Sequence, residues 1–216
     1  QIIAAEKDLG ERISNVVMMG IGEPLDNYDN VIRFLRLVGH EKGLNIGYRH
    51  ISLSTCGVVP GIRRLAKEEL PITLSISLHA SDNEKRSSIM PVNRKWDIKE
   101  LLSACRDYYA ATGRRVSFEY TLLGGENDSD RDAEALASLL LGAFRGTGAP
   151  IHVNLIRVNE VKERDYRQGT RESAHRFADK LCRLGVNATV RRRLGDDVNA
   201  ACGQLRRSAE QAPSQA

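Results

Sequence analysis

Residues 72–79, ITLSISLH, alternate strictly between apolar and polar side chains. Alternation with a period of two is typical of a β-strand that turns one face to an apolar core and the other to polar surroundings. The same pattern returns in residues 51–54, ISLS, and in residues 116–121, VSFEYT. One face of the predicted sheet is therefore polar, and its side chains in the first stretch are Thr73, Ser75, Ser77 and His79.

Helical patterns separate six β-like stretches along the chain. The predicted strands are 15–19, 49–55, 72–78, 115–122, 151–157 and 187–193, and the predicted helices are 28–41, 60–68, 97–112, 129–143 and 170–184. This alternation is typical of parallel strands joined by crossover helices. A sheet with helices on one side can hide a polar face by curling into a full or partial barrel. We therefore predict an α/β fold, a full or partial (β/α) barrel with a polar ligand inside, over the alternative of an antiparallel sheet with one wet face.

Length and composition set further bounds. A chain of 216 residues, 41% of them hydrophobic, can form one domain with a sizeable core. No apolar run approaches the ~20 residues of a membrane-spanning helix, and no secretion signal is recognisable. We expect a cytoplasmic protein with no membrane partner. The net charge of +4 permits a nucleic-acid partner without indicating one.

Four cysteines stand at positions 56, 105, 182 and 202, and no two are spaced like zinc or iron–sulfur ligands. Cys105 lies on the apolar face of the predicted helix 97–112, which we expect to include Tyr109 as well. Cys182 lies beside the apolar face of the helix 170–184. Because an unpaired cysteine behaves as a small hydrophobic residue, we predict that Cys105 and Cys182 belong to the core.

The turn GIGEP, residues 20–24, follows the first predicted strand. Gly20 and Gly22 allow a tight turn and a close approach to a ligand, and Pro24 stiffens it. The Glu23 carboxylate suits an ammonium group, although it could equally be a surface residue that caps the next helix. A literal GGE also occurs at residues 124–126, where the following sequence is typical of a loop and a helix start.

Five segments taken in order carry a resemblance. They are NVVMMGIGEPLDNYDNV (15–31), ISLSTCGVVPGIRRLA (51–66), LSISLHASDNEKRSSIMPVNRKW (74–96), VNLIRVNEV (153–161) and GDDVNAACGQL (195–205). Together they resemble the RlmN family of radical S-adenosylmethionine (SAM) RNA methyltransferases, which methylate C2 of adenosine in 23S rRNA and tRNA. The resemblance implies a radical SAM core over residues 1–205, and residues 206–216 are predicted to be a disordered tail.

The resemblance also implies a set of cofactor residues. Gly22 and Glu23 would hold the amino group of the methionine part of SAM, and the other residues would line the rest of its site. Alone, His79 would be taken for a core histidine and Asn159 for a turn former, but the ordered matches favour a binding role. The implied SAM-binding residues are Gly22, Glu23, Ser54, Ser77, Leu78, His79 and Asn159.

Cys202 matches the family's methyl-carrying cysteine. Adenine C2 is an electron-poor carbon, so a methyl group cannot be transferred to it directly from a sulfonium. The resemblance implies that one SAM methylates Cys202 and that a second SAM yields a radical that takes hydrogen from this methyl group. The resulting carbon radical adds to C2, and a second cysteine then attacks the Cys202 sulfur, which leaves a disulfide bond.

Several parts of the family pattern have no match in these 216 residues. They are the CxxxCxxC loop that binds the [4Fe-4S] cluster, the resolving cysteine and the N-terminal RNA-binding domain. We therefore expect an N-terminally truncated barrel with no metal ligands of its own, the cluster cysteines lying upstream of Gln1, and no reductive cleavage of SAM by this chain alone. Cys56 is near the cofactor loop but is not expected to be the resolving cysteine. The implied partners are 23S rRNA, tRNA and an electron donor such as flavodoxin, with the protein a monomer.

The sequence leaves three alternative functions to consider. The sister Cfr-like family, which methylates adenine C8, typically has GEAL in place of the Glu23-Pro24-Leu25 turn. A non-catalytic RNA-binding module is the alternative for this chain alone, and the basic run at residues 191–193 could contact phosphate or simply be solvated. A barrel acting on phosphorylated sugars is disfavoured, because RLGDDVN sets two acids beside its single glycine.

Overall fold

The computed structural model describes residues 1–20, 22–157 and 169–191. Six parallel strands form one sheet in sequential order, and each predicted strand overlaps an observed one. Because neighbours in sequence are neighbours in the sheet, their carboxyl ends follow one another along one edge. The strands are β1 (Val16–Met18), β2 (Ile51–Thr55), β3 (Thr73–Ser77), β4 (Val116–Leu122), β5 (Ile151–Arg157) and β6 (Asn187–Val190).

All five predicted helices are present, and the described residues contain two further short helices. These two, α1 and α4, have 8 and 7 residues, too short for a clear helical period. No helix in the described ranges is long and apolar enough to cross a membrane. The helices are α1 (Ile2–Leu9), α2 (Tyr28–Gly39), α3 (Val59–Lys67), α4 (Asn83–Ile89), α5 (Ile98–Thr112), α6 (Asp130–Ala143) and α7 (Arg171–Arg183).

The sheet is curled into an open, partial barrel, which confirms the predicted fold class. Its outer face carries the apolar side chains of the strands, and helices cover it. Leu53, Leu74, Ile76 and Val153 are each 0% exposed there. The described residues also include three short 3₁₀ helices: Pro24–Asn27 after β1, Tyr48–His50 before β2 and Pro91–Arg94 after α4.

The inner face is polar, as the alternation predicts, and its side chains bond across the strands. Ser52 and Ser75 share a hydrogen bond of 3.1 Å between their hydroxyls. The Asn154 amide donates to the Glu119 carboxylate over 2.7 Å, and the strand register places Ser77 in the same row as this pair. These bonds give the polar side chains partners inside the barrel, as buried polar groups require.

Two of the expectations for the helix faces are wrong. Cys105 is fully buried as predicted, but Cys182 is exposed at the edge of the apolar stripe of α7. On α5 the buried tyrosine is Tyr108, whereas Tyr109 is only partly covered. The Tyr108 hydroxyl donates to the carbonyls of Leu70 and Ile72, so two backbone acceptors just before β3 determine which tyrosine turns inward.

Candidate active site

A cavity of about 970 Å³ opens where β1, β2 and β3 end. Ligands of parallel α/β sheets bind at the carboxyl ends of the strands, where the backbone turns away and leaves groups free. Four of the predicted cofactor residues, Gly22, Glu23, Ser54 and Ser77, line this cavity. These residues come from three separate segments of the chain, and the fold brings them together at one cavity, as we expect of a ligand site.

Glu23 is held in place by two backbone donors. Its Oε1 accepts the N–H of Leu25 over 3.0 Å, and its Oε2 accepts the N–H of Cys56 over 2.7 Å. The first bond caps the 3₁₀ helix Pro24–Asn27, and the same residue lines the cavity. A carboxylate offers about four lone-pair positions, and two remain for a ligand that donates hydrogen bonds. Gly22, at φ 78°, gives the turn a conformation that other residues rarely adopt.

Cys56 borders the same cavity, but its thiol is not prepared for nucleophilic attack. Burial, together with the neighbouring Glu23 carboxylate, raises the pKa of Cys56 to about 12. The thiolate is the reactive form of cysteine, and its population at neutral pH is therefore very small. The role of Cys56 visible here is that of a backbone donor to Glu23.

The turn after β3 is fixed by the neighbouring strand. The N–H groups of Leu78 and His79 both donate to the carbonyl of Glu119, over 3.0 and 3.2 Å. His79 has a φ of 61°, and its Nδ1 accepts the N–H of Thr121 over 3.1 Å. Because a backbone N–H can only donate, the ring proton of neutral His79 lies on Nε2, which is a donor. Burial, with a smaller effect of the Arg86 charge, lowers the pKa of His79 to about 4 and keeps the ring neutral.

Leu78 and His79 do not line the cavity, unlike Ser77 before them. Leu78 is fully buried in the apolar core, and the His79 ring is partly buried. The structure therefore brings only part of the predicted SLH segment to the cavity wall.

Two buried residues that hold these turns were missed by the sequence analysis. Asn127, 2% exposed, accepts the Leu123 N–H and donates to the carbonyls of Thr121 and His79. Arg86 is 0% exposed and donates to three backbone carbonyls and one amide oxygen. No signal in the sequence identifies either one, because a charged residue on a short helix and an asparagine in a turn are ordinarily exposed.

The cavity also has an apolar wall that was not predicted. It is formed by the first helix, the first strand and the second helix, and it continues past the polar groups at the strand ends. A ligand there would contact both polar groups and apolar surface, as small-molecule sites commonly require. The apolar residues of this wall include Ile2, Ile3, Val16, Met18, Val31, Phe34, Val38 and Leu44.

The family model of the radical SAM superfamily matches residues 1–137, well over half of the chain. The chain belongs to the radical SAM superfamily. It is 54% identical over 208 residues to a probable dual-specificity RNA methyltransferase RlmN of Clostridium perfringens (strain 13 / Type A), and 55% identical to one of Clostridium botulinum (strain Eklund 17B / Type B). These alignments cover 96% of the chain and 58% of each relative.

Solved structures agree with the radical SAM assignment. The crystal structure of a radical SAM methyltransferase from Sphaerobacter thermophilus superposes with a TM-score of 0.84 at 45% identity, covering 93% of this chain and 57% of that one. A domain of pyruvate-formate lyase-activating enzyme from Bacteroides vulgatus superposes with a TM-score of 0.57 at 19% identity, which shows the fold alone. The chain thus spans somewhat less than three fifths of the length of the Clostridium relatives and of the Sphaerobacter thermophilus protein.

Radical SAM proteins bind SAM and a [4Fe-4S] cluster, and the described residues suit only the first. The Glu23 carboxylate has lone pairs free for an ammonium group, and the hydroxyls of Ser54 and Ser77 border the same cavity. In contrast, no group of three His, Cys, Asp or Glu side chains in residues 1–20, 22–157 and 169–191 could hold a metal. The described part of the chain offers no ligand set for the cluster.

Asn159 and Cys202, the remaining predicted site residues, lie outside the described residues, as do Arg192 and Arg193 and the predicted tail. Arg191 is the last described residue of the basic run. Its backbone N–H donates to the carbonyl of Leu155, and its charge partly offsets the burial that raises the pKa of Glu119. Arg191 therefore lies within electrostatic range of the polar inner face of the barrel.

Proposed function

We propose that this protein is part of a radical SAM enzyme that methylates C2 of adenosine in 23S rRNA and tRNA. The observation that carries the proposal is the meeting of Gly22, Glu23, Ser54 and Ser77 at one cavity, in a chain 54% identical to probable RlmN enzymes. The proposal includes action in the cytoplasm as a monomer and reduction by an electron donor such as flavodoxin.

Each described residue has a role in holding SAM. The Glu23 carboxylate accepts hydrogen bonds from the methionine amino group, for which its orientation by Leu25 and Cys56 prepares it. The hydroxyls of Ser54 and Ser77 bind the carboxylate and the ribose. Leu78 and His79 shape the turn next to Ser77, and Asn159 completes the site by resemblance alone. Bound SAM supplies the methyl group and, with a cluster ligated elsewhere in the whole protein, the radical chemistry.

Cys202 carries the methyl group in this proposal. An electron-poor ring carbon does not attack a methyl sulfonium, so the methyl group must first reside on a protein atom from which hydrogen can be removed. A thiolate at position 202 would attack the sulfonium methyl group and so satisfy this requirement. After the radical adduct loses one electron and the C2 hydrogen as a proton, a second thiolate would attack the Cys202 sulfur: the sulfur–carbon bond breaks, its electron pair stays on the methylene carbon, which takes up a proton, and the two cysteines form a disulfide.

The test uses the full-length protein, purified without oxygen and supplied with iron, sulfide, SAM and a reductant. Transcripts of 23S rRNA and tRNA are digested after the reaction, and mass spectrometry of the nucleosides separates 2-methyladenosine from 8-methyladenosine. We expect the C2 product, its loss in Cys202→Ala and its retention in Cys182→Ala, because Cys182 is exposed on α7.

Two outcomes would overturn the proposal. A C8 product would assign the protein to the sister Cfr-like family. Tight RNA binding without methylation, unaffected by Cys202→Ala, would instead identify a non-catalytic RNA-binding module.

A further inference from the structure

A fully buried arginine joins the ends of two strands at the cavity. Arg86 lies on α4, and its Nη2 donates to the carbonyls of Cys56 and Ser77 over 2.8 and 3.1 Å. Its Nε donates to the carbonyl of Leu78 over 3.1 Å. In the described ranges no carboxylate lies within salt-bridge distance of it, although a buried charge is costly unless it is well compensated. The backbone carbonyls therefore take the place of a counter-ion.

Cys56 connects this cation to the Glu23 carboxylate. Its carbonyl accepts from Arg86 over 2.8 Å, while its N–H donates to Glu23 over 2.7 Å. The arginine, one backbone residue and the carboxylate thus form a series of charge-assisted hydrogen bonds, which are stronger than neutral ones. A shift of the guanidinium would move Cys56 and, with it, one of the two donors that orient Glu23.

The structure also holds the arginine from its other side. Its Nη1 donates to Oδ1 of Asn93 over 2.9 Å, and the Asn93 amide donates in turn to Ser87 and to the backbone of Asn83. Gly57 leaves room for the guanidinium, since a Cβ there would lie 3.1 Å from Nη2. Four acceptors in fixed positions match the planar fork of arginine, which the single nitrogen of lysine cannot reproduce.

We propose that Arg86 is a positioning residue for the SAM site. It acts through the carbonyls of Cys56, Ser77 and Leu78, and it sets the Glu23 carboxylate and the turn after β3 in the arrangement that receives the amino-acid end of SAM. The identity of this ligand rests on the proposed function, but the bonds that Arg86 makes do not.

The experiment compares full-length wild type with Arg86→Lys in two measurements. Calorimetric titration with SAM, without RNA, gives the dissociation constant. Hydrogen exchange in the SAM-free protein gives the protection of the Cys56 amide, which the structure bonds to Glu23. We expect Arg86→Lys to weaken SAM binding about tenfold, the equivalent of one net hydrogen bond, and to speed exchange at Cys56.

A control separates positioning from general destabilisation. Leu136→Ala on α6 removes a fully buried side chain from the core and should lower the denaturation midpoint, yet leave the SAM affinity within about twofold. If Arg86→Lys does not fold, Asn93→Ala replaces it, because this variant frees Nη1 while keeping the charge. It should weaken binding and speed Cys56 exchange to a smaller degree.

The outcomes distinguish this inference from the proposed function. If the wild type fails to bind SAM, the proposed function is contradicted. The exchange rate of the Cys56 amide then remains as the test of the positioning role of Arg86. The positioning role would be overturned if Arg86→Lys bound SAM and exchanged the Cys56 amide as the wild type does. If the lysine variant is unfolded, the same result in Asn93→Ala would overturn it. Equal losses of SAM affinity in Leu136→Ala and Arg86→Lys would also overturn it.

Discussion

His79 makes the stability of this fold depend on pH in a calculable way. Burial lowers the pKa of His79 from 6.5 to about 4. Between these two values the unfolded chain binds a proton that the folded chain does not, so stability must fall as the pH falls. Integrating the linkage relation, His79 alone costs about 2 kcal/mol of stability by pH 5 and about 3 kcal/mol by pH 4, relative to pH 7.5. Well above pH 7.5 both states hold a neutral ring, and the effect vanishes.

The variant His79→Asn isolates this contribution. The Asn Oδ1 occupies the position of Nδ1 and can accept the Thr121 N–H, and asparagine tolerates the φ of 61° better than most residues. It does not titrate in this range. The change should therefore keep the local bond and remove the proton linkage.

Urea denaturation followed by fluorescence of the single tryptophan, Trp96, measures the free energy of unfolding at pH 7.5, 6 and 5. Carboxylates titrate in both proteins and cancel in the difference. We expect wild type to lose about 2 kcal/mol more than His79→Asn between pH 7.5 and pH 5. Parallel pH profiles, or an NMR titration that puts the pKa of folded His79 near 6.5, would refute the reasoning.

Two further predictions concern backbone and core. Tyr108→Phe removes a buried hydroxyl that donates to two carbonyls and should lower the free energy of unfolding by about 1–2 kcal/mol. Its control, Tyr109→Phe, removes an exposed hydroxyl and should change the free energy of unfolding by less than about 0.5 kcal/mol. Gly57→Ala places a Cβ against Arg86 at a φ of 109° and should lower the free energy of unfolding by about 1–3 kcal/mol. Its control, Gly142→Ala in α6, adds a Cβ that meets no atom and should raise the free energy of unfolding by about 0.5–1 kcal/mol. Urea denaturation checks both pairs, and equal values within a pair would contradict the structure.

Much of the architecture is local and could be predicted. The alternation in ITLSISLH requires a strand with two unlike faces, and the helical periods between strands require parallel pairing. The alternation of apolar and polar side chains correctly predicted that Ser75, Ser77 and Glu119 lie on the inner face of the barrel. Prediction was weaker for adjacent residues of one helix, as with Tyr108 and Tyr109. The helix rotation between two consecutive residues is enough to separate a buried position from a partly covered one, and the periodicity of the sequence does not resolve it.

The sequence by itself determined the alternation of strands and helices, the polar inner face and the glycine-flanked position of Glu23. Only the tertiary structure decided what orients Glu23: an N–H from Cys56, 33 residues away, whose carbonyl is held by Arg86, 30 residues further on. The physical reason is that parallel strands gather their carboxyl ends at one edge, so turns distant in sequence meet there. Which backbone groups are left free at that edge, and which buried side chain satisfies them, depends on the packing of the whole sheet and is not encoded in any local pattern.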